Sequence, residues 1–162
     1  RHARVFENAE AVREHMKKHA EILRPKFEAV LEALERDLGG KEIAHWTEPR
    51  GGYFVSLDVL PGTAKRVFSL CSYVGVKLTA VGATYPYGID PEDKNLRIAP
   101  TYPTIEELQP AMEIFCLAVI AQRLGRSFKF DPVSKRAIAD KEVDFYLDGP
   151  APRKGWECYY KG

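Results

Sequence analysis

The sequence predicts a two-layer α+β domain, a small and mostly antiparallel sheet flanked by helices and led by a long N-terminal helix. Three observations carry that expectation. Apolar residues recur every three or four positions across residues 8–38, which is the period of one helix face. Residues 53–59 and 96–99 alternate as strands do, and a capping box opens a second long helix at Thr104. Strands packed on helices, with an antiparallel return, make two layers around one core.

In the first element Val12, Met16, Leu23, Phe27, Val30, Leu34 and Leu38 form the apolar stripe. Asn8 is the expected N-cap and Gly39-Gly40 the stop. Pro25 lacks a backbone donor and is expected to kink the helix or split it in two. A helix of this length exceeds what a small domain needs and would serve as a connector lying across a neighbouring domain. Residues 43–47 read as a short strand, Pro49-Arg50-Gly51-Gly52 as a turn, and 53–59 as a second strand ended by Pro61-Gly62. Thr63 is expected to cap a helix reaching Tyr73, with Val67, Leu70, Cys71 and Val74 inward and Gly75 as its stop.

A strand is expected at 76–79. Residues 80–94 hold Gly82, Pro86, Gly88 and Pro91, a long loop of the kind that carries function. A strand at 96–99 follows, and then a helix from Thr104 to about Leu124, with Glu107 completing the box. The character changes after Gly125. Seven of the eighteen aromatics lie in 125–162, namely Phe128, Phe130, Phe145, Tyr146, Trp156, Tyr159 and Tyr160. No period is sustained there, so short strands or extended packing are expected, with disorder as the competitor. The domain organisation read from this is 1–124, with 1–38 as its connecting helix, and an aromatic-rich tail at 125–162.

Composition narrows the function classes. At 162 residues the chain has room for one domain with a proper core. A net charge of +1 leaves no electrostatic footprint for nucleic acid or an anionic membrane. The longest apolar run, Ile114 to Ala121, is too short to span a bilayer. Cys71, Cys116 and Cys158 form no Cys-x-x-Cys pair, which argues against a disulfide framework and a zinc site and suits a reducing cytoplasm. Arg1 stands first and no apolar h-region follows it, so the chain reads as a portion of something longer.

The residue with the most chemistry is Arg97, within Asn95-Leu96-Arg97-Ile98-Ala99-Pro100. Alternation turns it away from Leu96 and Ile98. Its guanidinium must reach water, a carboxylate or a bound anion, because a buried unpaired charge is very costly. A salt bridge and an exposed face both satisfy that requirement. Other groupings offer less. His15 and His19 are four apart on a helix but lack a third ligand, so a solvated face is the expectation. Asp90, Glu92 and Asp93 fail the calcium-loop spacing and read as a charged turn. His45 beside Trp46 is a strand residue, and no metal site is expected.

Four blocks in order resemble a known family. They are Val12-Arg13-Glu14-His15-Met16-Lys17-Lys18-His19-Ala20-Glu21-Ile22-Leu23-Arg24-Pro25-Lys26-Phe27, residues 49–61, Gly82-Ala83-Thr84-Tyr85-Pro86-Tyr87-Gly88, and Asn95 to Pro103. Together they resemble the C-terminal small domain of class I pyridoxal-phosphate-dependent aminotransferases, and most a bacterial subgroup of aspartate aminotransferases. The tail beyond Gly125 has no counterpart in the resemblance.

The resemblance implies that Arg97 grips the α-carboxylate of an amino-acid substrate, a role suited to a planar guanidinium that offers two parallel hydrogen bonds. It implies that Gly51-Gly52 turns the backbone beside the site and that Phe54, with Tyr53 and Gly52, forms a wall near the substrate. It also implies that the loop bearing Gly82 and Tyr85 lines the active-site mouth. It further implies pyridoxal 5'-phosphate as the cofactor, bound mainly by a large domain that, with the Schiff-base lysine, is expected to lie outside this chain. Ser134-Lys135 only superficially matches the cofactor motif, on the wrong side of Arg97 in chain order. No catalytic residue is therefore expected in this chain, which alone should not transaminate.

The complete enzyme is expected to be a cytoplasmic homodimer acting on an amino acid and a 2-oxo acid, with aspartate and 2-oxoglutarate as the pair. The enzyme's own large domain is the expected protein partner, and neither nucleic acid nor membrane is. Two other readings stand beside it: a non-catalytic aminotransferase-like ligand-binding or regulatory module, and a stand-alone α+β domain.

Overall fold

A computed structural model describes residues 5–6 and 8–148. Trp156, Cys158, Tyr159 and Tyr160 lie outside the described residues, so the expectations placed on them are not addressed.

The first long helix, α1 (Ala9–Leu38), starts at the expected cap, where Asn8 Oδ1 accepts from the Ala11 N–H at 2.9 Å. It runs through Pro25 as one element and is not split. A proline removes a single intrahelical donor, and the half after it is held by packing against a partner helix. The apolar stripe is buried in that half only, at Val30, Ala33, Leu34 and Leu38. Val12 and Met16, expected inward, are 41% and 51% exposed. Leu23, nearer the middle of the helix, is half-buried.

The sheet has three strands in the order β1 (Ala44–Trp46), β2 (Val55–Val59), β3 (Asn95–Ile98), all antiparallel. Each is close to its predicted place, but β2 begins at Val55, because the backbone of Gly51 to Tyr53 is still bending. Alternation sends Val55, Leu57, Val59, Leu96 and Ile98 into the core. His45, Ser56, Asp58, Asn95 and Arg97 fall on the opposite face, since the register pairs His45 with Asp58, Asp58 with Asn95, and Ser56 with Arg97. The predicted strand at 76–79 does not form. Val76 and Leu78 pack on the core, but the segment finds no ladder partner.

Helix α2 (Ala64–Tyr73) has the expected bounds and a different cap. Thr63 Oγ1 donates to the Leu60 carbonyl at 2.5 Å and leaves the helix amides to Asp93. The Asp93 carbonyl accepts from Thr63 and Ala64, and its carboxylate accepts from the Lys65 N–H at 3.1 Å. Val74 is exposed, because the helix ends before it can turn inward. The capping box predicted for α3 (Ile105–Leu124) is present in both directions between Thr104 and Glu107. Against the core face of the sheet, α3 packs on both α1 and α2, with Phe115 and Ile120 among the fully buried side chains. Burying side chains of this size contributes about 1.5–3 kcal/mol each.

After Gly125 the chain forms a hairpin, β4 (Phe130–Asp131) with β5 (Arg136–Ala137), and a helix, α4 (Lys141–Asp148), that the sequence reading did not anticipate. With eight residues α4 shows too few turns for a period to stand out, yet Val143 is fully buried, and Tyr146 and Leu147 reach the main core. Arg126 bonds Asp140 and Glu142 and fastens the start of this segment to its own helix. Among the described residues no helix is long and apolar enough to cross a membrane.

Candidate functional site

The polar face of the sheet carries the candidate site. Arg97 stands there half-buried, and its guanidinium carbon lies 4.5 Å from the centre of the Phe54 ring. Among the described residues the guanidinium has no hydrogen bond and no ion pair, so neither a salt bridge nor simple exposure describes it. The ring attracts the cation through its π face and uses none of the N–H donors. What remains is a positioned cation whose fork is open to an incoming carboxylate.

Phe54 and Tyr53 are 41% and 54% exposed, so neither is a core aromatic. They leave the Pro49–Gly52 turn, where Gly52 holds φ +92°, a conformation that side-chain-bearing residues rarely adopt. This turn and α1 enclose a groove of about 480 Å³ lined by Met16, Leu23, Phe27, Arg50, Gly52 and Tyr53. A larger cavity of about 750 Å³ lies between α1, α3 and the C-terminal hairpin, and includes none of the predicted site residues. Most of its charges are paired, Lys135 with Glu113, Arg136 with Asp148 and Arg36 with Asp37.

The loop at 82–88 closes on itself. A Cβ at Gly82 would stand 2.1 Å from the Gly88 carbonyl oxygen, so only glycine permits the approach. Tyr85 is half-buried, and burial, followed by the carboxylates of Asp90 and Asp58, raises its phenol above the usual tyrosine range. The neighbouring Thr84 hydroxyl donates to Asn95 Oδ1 on the sheet face at 2.8 Å.

The acidic turn has a structural task that the sequence reading missed. Asp90 is buried, and its carboxylate accepts the N–H groups of Glu92 at 3.1 Å, Lys94 at 2.8 Å and Asn95 at 2.7 Å. Burial alone would raise its pKa, but these backbone donors outweigh that and hold it below the usual carboxylate range. Asp140 is lowered to about 2, chiefly by Arg126.

Both groups have folded-state pKa values below those of the unfolded chain, so the stability they add is present above the unfolded value and lost as pH falls through the folded one. Thermal midpoints should thus be level above about pH 5 and decline between about pH 4 and pH 2. A pH series of unfolding curves checks this, and a midpoint that holds steady to pH 2 would contradict it.

Other candidates resolve as structure. Burial pushes the Cys71 thiol up to about 11 and Cys116 well above the ordinary value, which suits core residues. His15 and His19 stack edge to face at 4.7 Å, and no group of three metal-ligating side chains occurs among the described residues.

The lysines do not fit pyridoxal phosphate. Of the described ones only Lys26, Lys41 and Lys94 are half-buried, and each is engaged: Lys26 with the Thr101 carbonyl, Lys41 with those of Asp37 and Leu147, and Lys94 with Glu92. Lys135, beside Ser134, is exposed and tied to Glu113. The cation here, Arg97, suits a carboxylate and not an aldehyde.

Comparison with known proteins agrees with this frame. The sequence matches the family described as aspartate amino-transferase over residues 1–126. It is 54% identical to an aspartate aminotransferase of Corynebacterium glutamicum over 112 residues, which are 69% of this chain and 26% of that protein. It is 51% identical over 113 residues to a candidate aminotransferase of Mycolicibacterium smegmatis, covering 70% of this chain and 26% of that one. The crystal structure of an aspartate transaminase from Corynebacterium glutamicum superposes with a TM-score of 0.69 at 50% identity, covering 76% of this chain and 30% of that one. The chain thus spans about a quarter of the length of the curated relatives it matches. With its α+β fold and its match over most of its length, the chain belongs to the aspartate amino-transferase family.

Proposed function

We propose that this chain supplies the substrate-carboxylate end of a pyridoxal-phosphate-dependent aminotransferase, with residues 1–124 as its small domain. The observation that carries this is the open guanidinium of Arg97, held over the Phe54 ring. An α-carboxylate seated there would complete two charge-assisted bonds and turn the rest of the amino acid to one fixed side. Tyr53, Phe54 and Gly52 wall the site on one side, and the loop with Gly82 and Tyr85 borders it on the other.

The cofactor supplies the electron sink of amino-group transfer when bound, and the residues that hold it belong to the remainder of the protein. The exposed N-terminal half of α1 offers an apolar stripe to that large domain. The substrate pair by family likeness is aspartate and 2-oxoglutarate, and the complete protein is a cytoplasmic homodimer. Residues 125–148 form an appendage docked outside the site.

The test is an amino-transfer assay with aspartate, 2-oxoglutarate and added pyridoxal phosphate. The complete protein that carries this sequence should turn over and the 162-residue chain should not. Arg97→Lys should keep the charge but lose the fork, and raise KM for the amino acid about tenfold or more. No amino transfer by the complete protein, or an unchanged KM in the lysine variant, would refute the reading.

A further inference from the structure

Asp90 and Asn95 are the buried polar residues among the described ones, and the surroundings of Asn95 have a consequence for Arg97. Asparagine is a poor strand former, and burying its amide is costly unless every donor and acceptor is used. Here all are used. Its backbone N–H goes to Asp90 at 2.7 Å. Its Nδ2 donates to Ser56 Oγ at 3.0 Å and to Asp58 Oδ1 at 2.7 Å. Its Oδ1 accepts from the Thr84 hydroxyl at 2.8 Å. One side chain therefore joins β2, β3 and the loop at 82–88.

The Thr84 bond is the tie that matters for the loop. The hydrogen bonds within the loop are local, such as Tyr85 N–H to the Gly82 carbonyl at 2.9 Å and Gly88 N–H to the Tyr85 carbonyl at 3.1 Å. Among the described residues no other hydrogen bond fastens 82–88 to the sheet. A loop closed on itself moves as a unit, so a single tether sets where it stands. Asn95 is two residues from Arg97 on the same face, and Ser56, which it holds, is the register partner of Arg97.

We propose that Thr84 and Asn95 are positioning residues: their bond fixes the 82–88 loop at the height that bounds the carboxylate site at Arg97. This rests on the carboxylate-anchor reading above and adds the loop's placement to it. Asn95 touches no substrate and acts through the loop and through Ser56.

Thr84 is exposed, so in Thr84→Val water can reach the Asn95 oxygen that the hydroxyl leaves, and Thr84→Ser retains the hydroxyl. In the complete, pyridoxal-phosphate-loaded protein, amide hydrogen exchange across 82–89 should quicken about fivefold in Thr84→Val, the factor one neutral hydrogen bond carries. KM for aspartate should rise by about the same factor with kcat within about twofold, and Thr84→Ser should restore both. Unchanged exchange in Thr84→Val overturns the tether. Faster exchange with an unchanged KM overturns the positioning role. Arg97→Lys, measured alongside, separates the two readings: an unchanged KM there refutes the anchor and the positioning role with it, while the exchange result still decides the tether.

Discussion

Replacing Arg97 by alanine in the complete protein should lower kcat/KM for the amino-acid substrate by at least about two orders of magnitude, a loss of about 3–5 kcal/mol. The size follows from what is left behind. A carboxylate brought onto the polar face of the sheet would lose both bonds of the fork. The Phe54 ring, which attracts the guanidinium at 4.5 Å, would present its electron-rich face to an anion. The variant should fold as the parent does, because Arg97 bonds nothing among the described residues that its removal would orphan. Steady-state kinetics with unfolding curves as a control reads both halves, and near-normal efficiency for α-amino acids would remove the assignment.

The second large effect is on stability. Asp90→Ala should cost about 3 kcal/mol and lower the thermal midpoint by about 10 °C. Three backbone donors converge on that carboxylate, and the Asn95 N–H among them is at a buried residue where water cannot replace the lost acceptor. The damage would spread in both directions along the chain. Asp93, in the same turn, caps α2, and Asn95 opens β3. Asp90→Asn retains an acceptor oxygen and should lose about half as much. Thermal unfolding followed by circular dichroism measures the difference, and an unchanged midpoint in the alanine variant would show that the turn is held by other means.

What the sequence made legible is what depends on near neighbours. The Asn8 cap, the Thr104–Glu107 box and the alternation of Val55, Ser56, Leu57, Asp58 and Val59 are local, and the structure reproduces each of them. The misses involve partners far along the chain. Residues 76–79 have a strand's composition, but a strand also needs a free neighbouring edge, which a linear pattern does not contain. Thr63 has the right residue type for a cap, yet Asp93, thirty residues on, takes the place. Asn95 was legible only as the start of a strand, because its side-chain bonds reach Ser56, Asp58 and Thr84 on other segments.

The same division holds at the candidate site. The orientation of Arg97 away from the core could be read from Leu96 and Ile98 on either side of it. Its company could not: the Phe54 contact exists only because β2 and β3 pair in one register. Gly52 and Gly82 stood out as turn residues, and their positive φ angles agree. That the Thr84 hydroxyl ties the loop after Gly82 to Asn95 is a tertiary fact.

The most direct test of the central claim is a crystal structure of the complete, pyridoxal-phosphate-loaded protein with a bound substrate analogue that retains the α-carboxylate. The Arg97 guanidinium should meet both oxygens of that carboxylate through two N–H bonds of about 2.8 Å, with the Phe54 ring still beneath it. A carboxylate held elsewhere, with Arg97 turned to a protein acid or to solvent, would contradict the account.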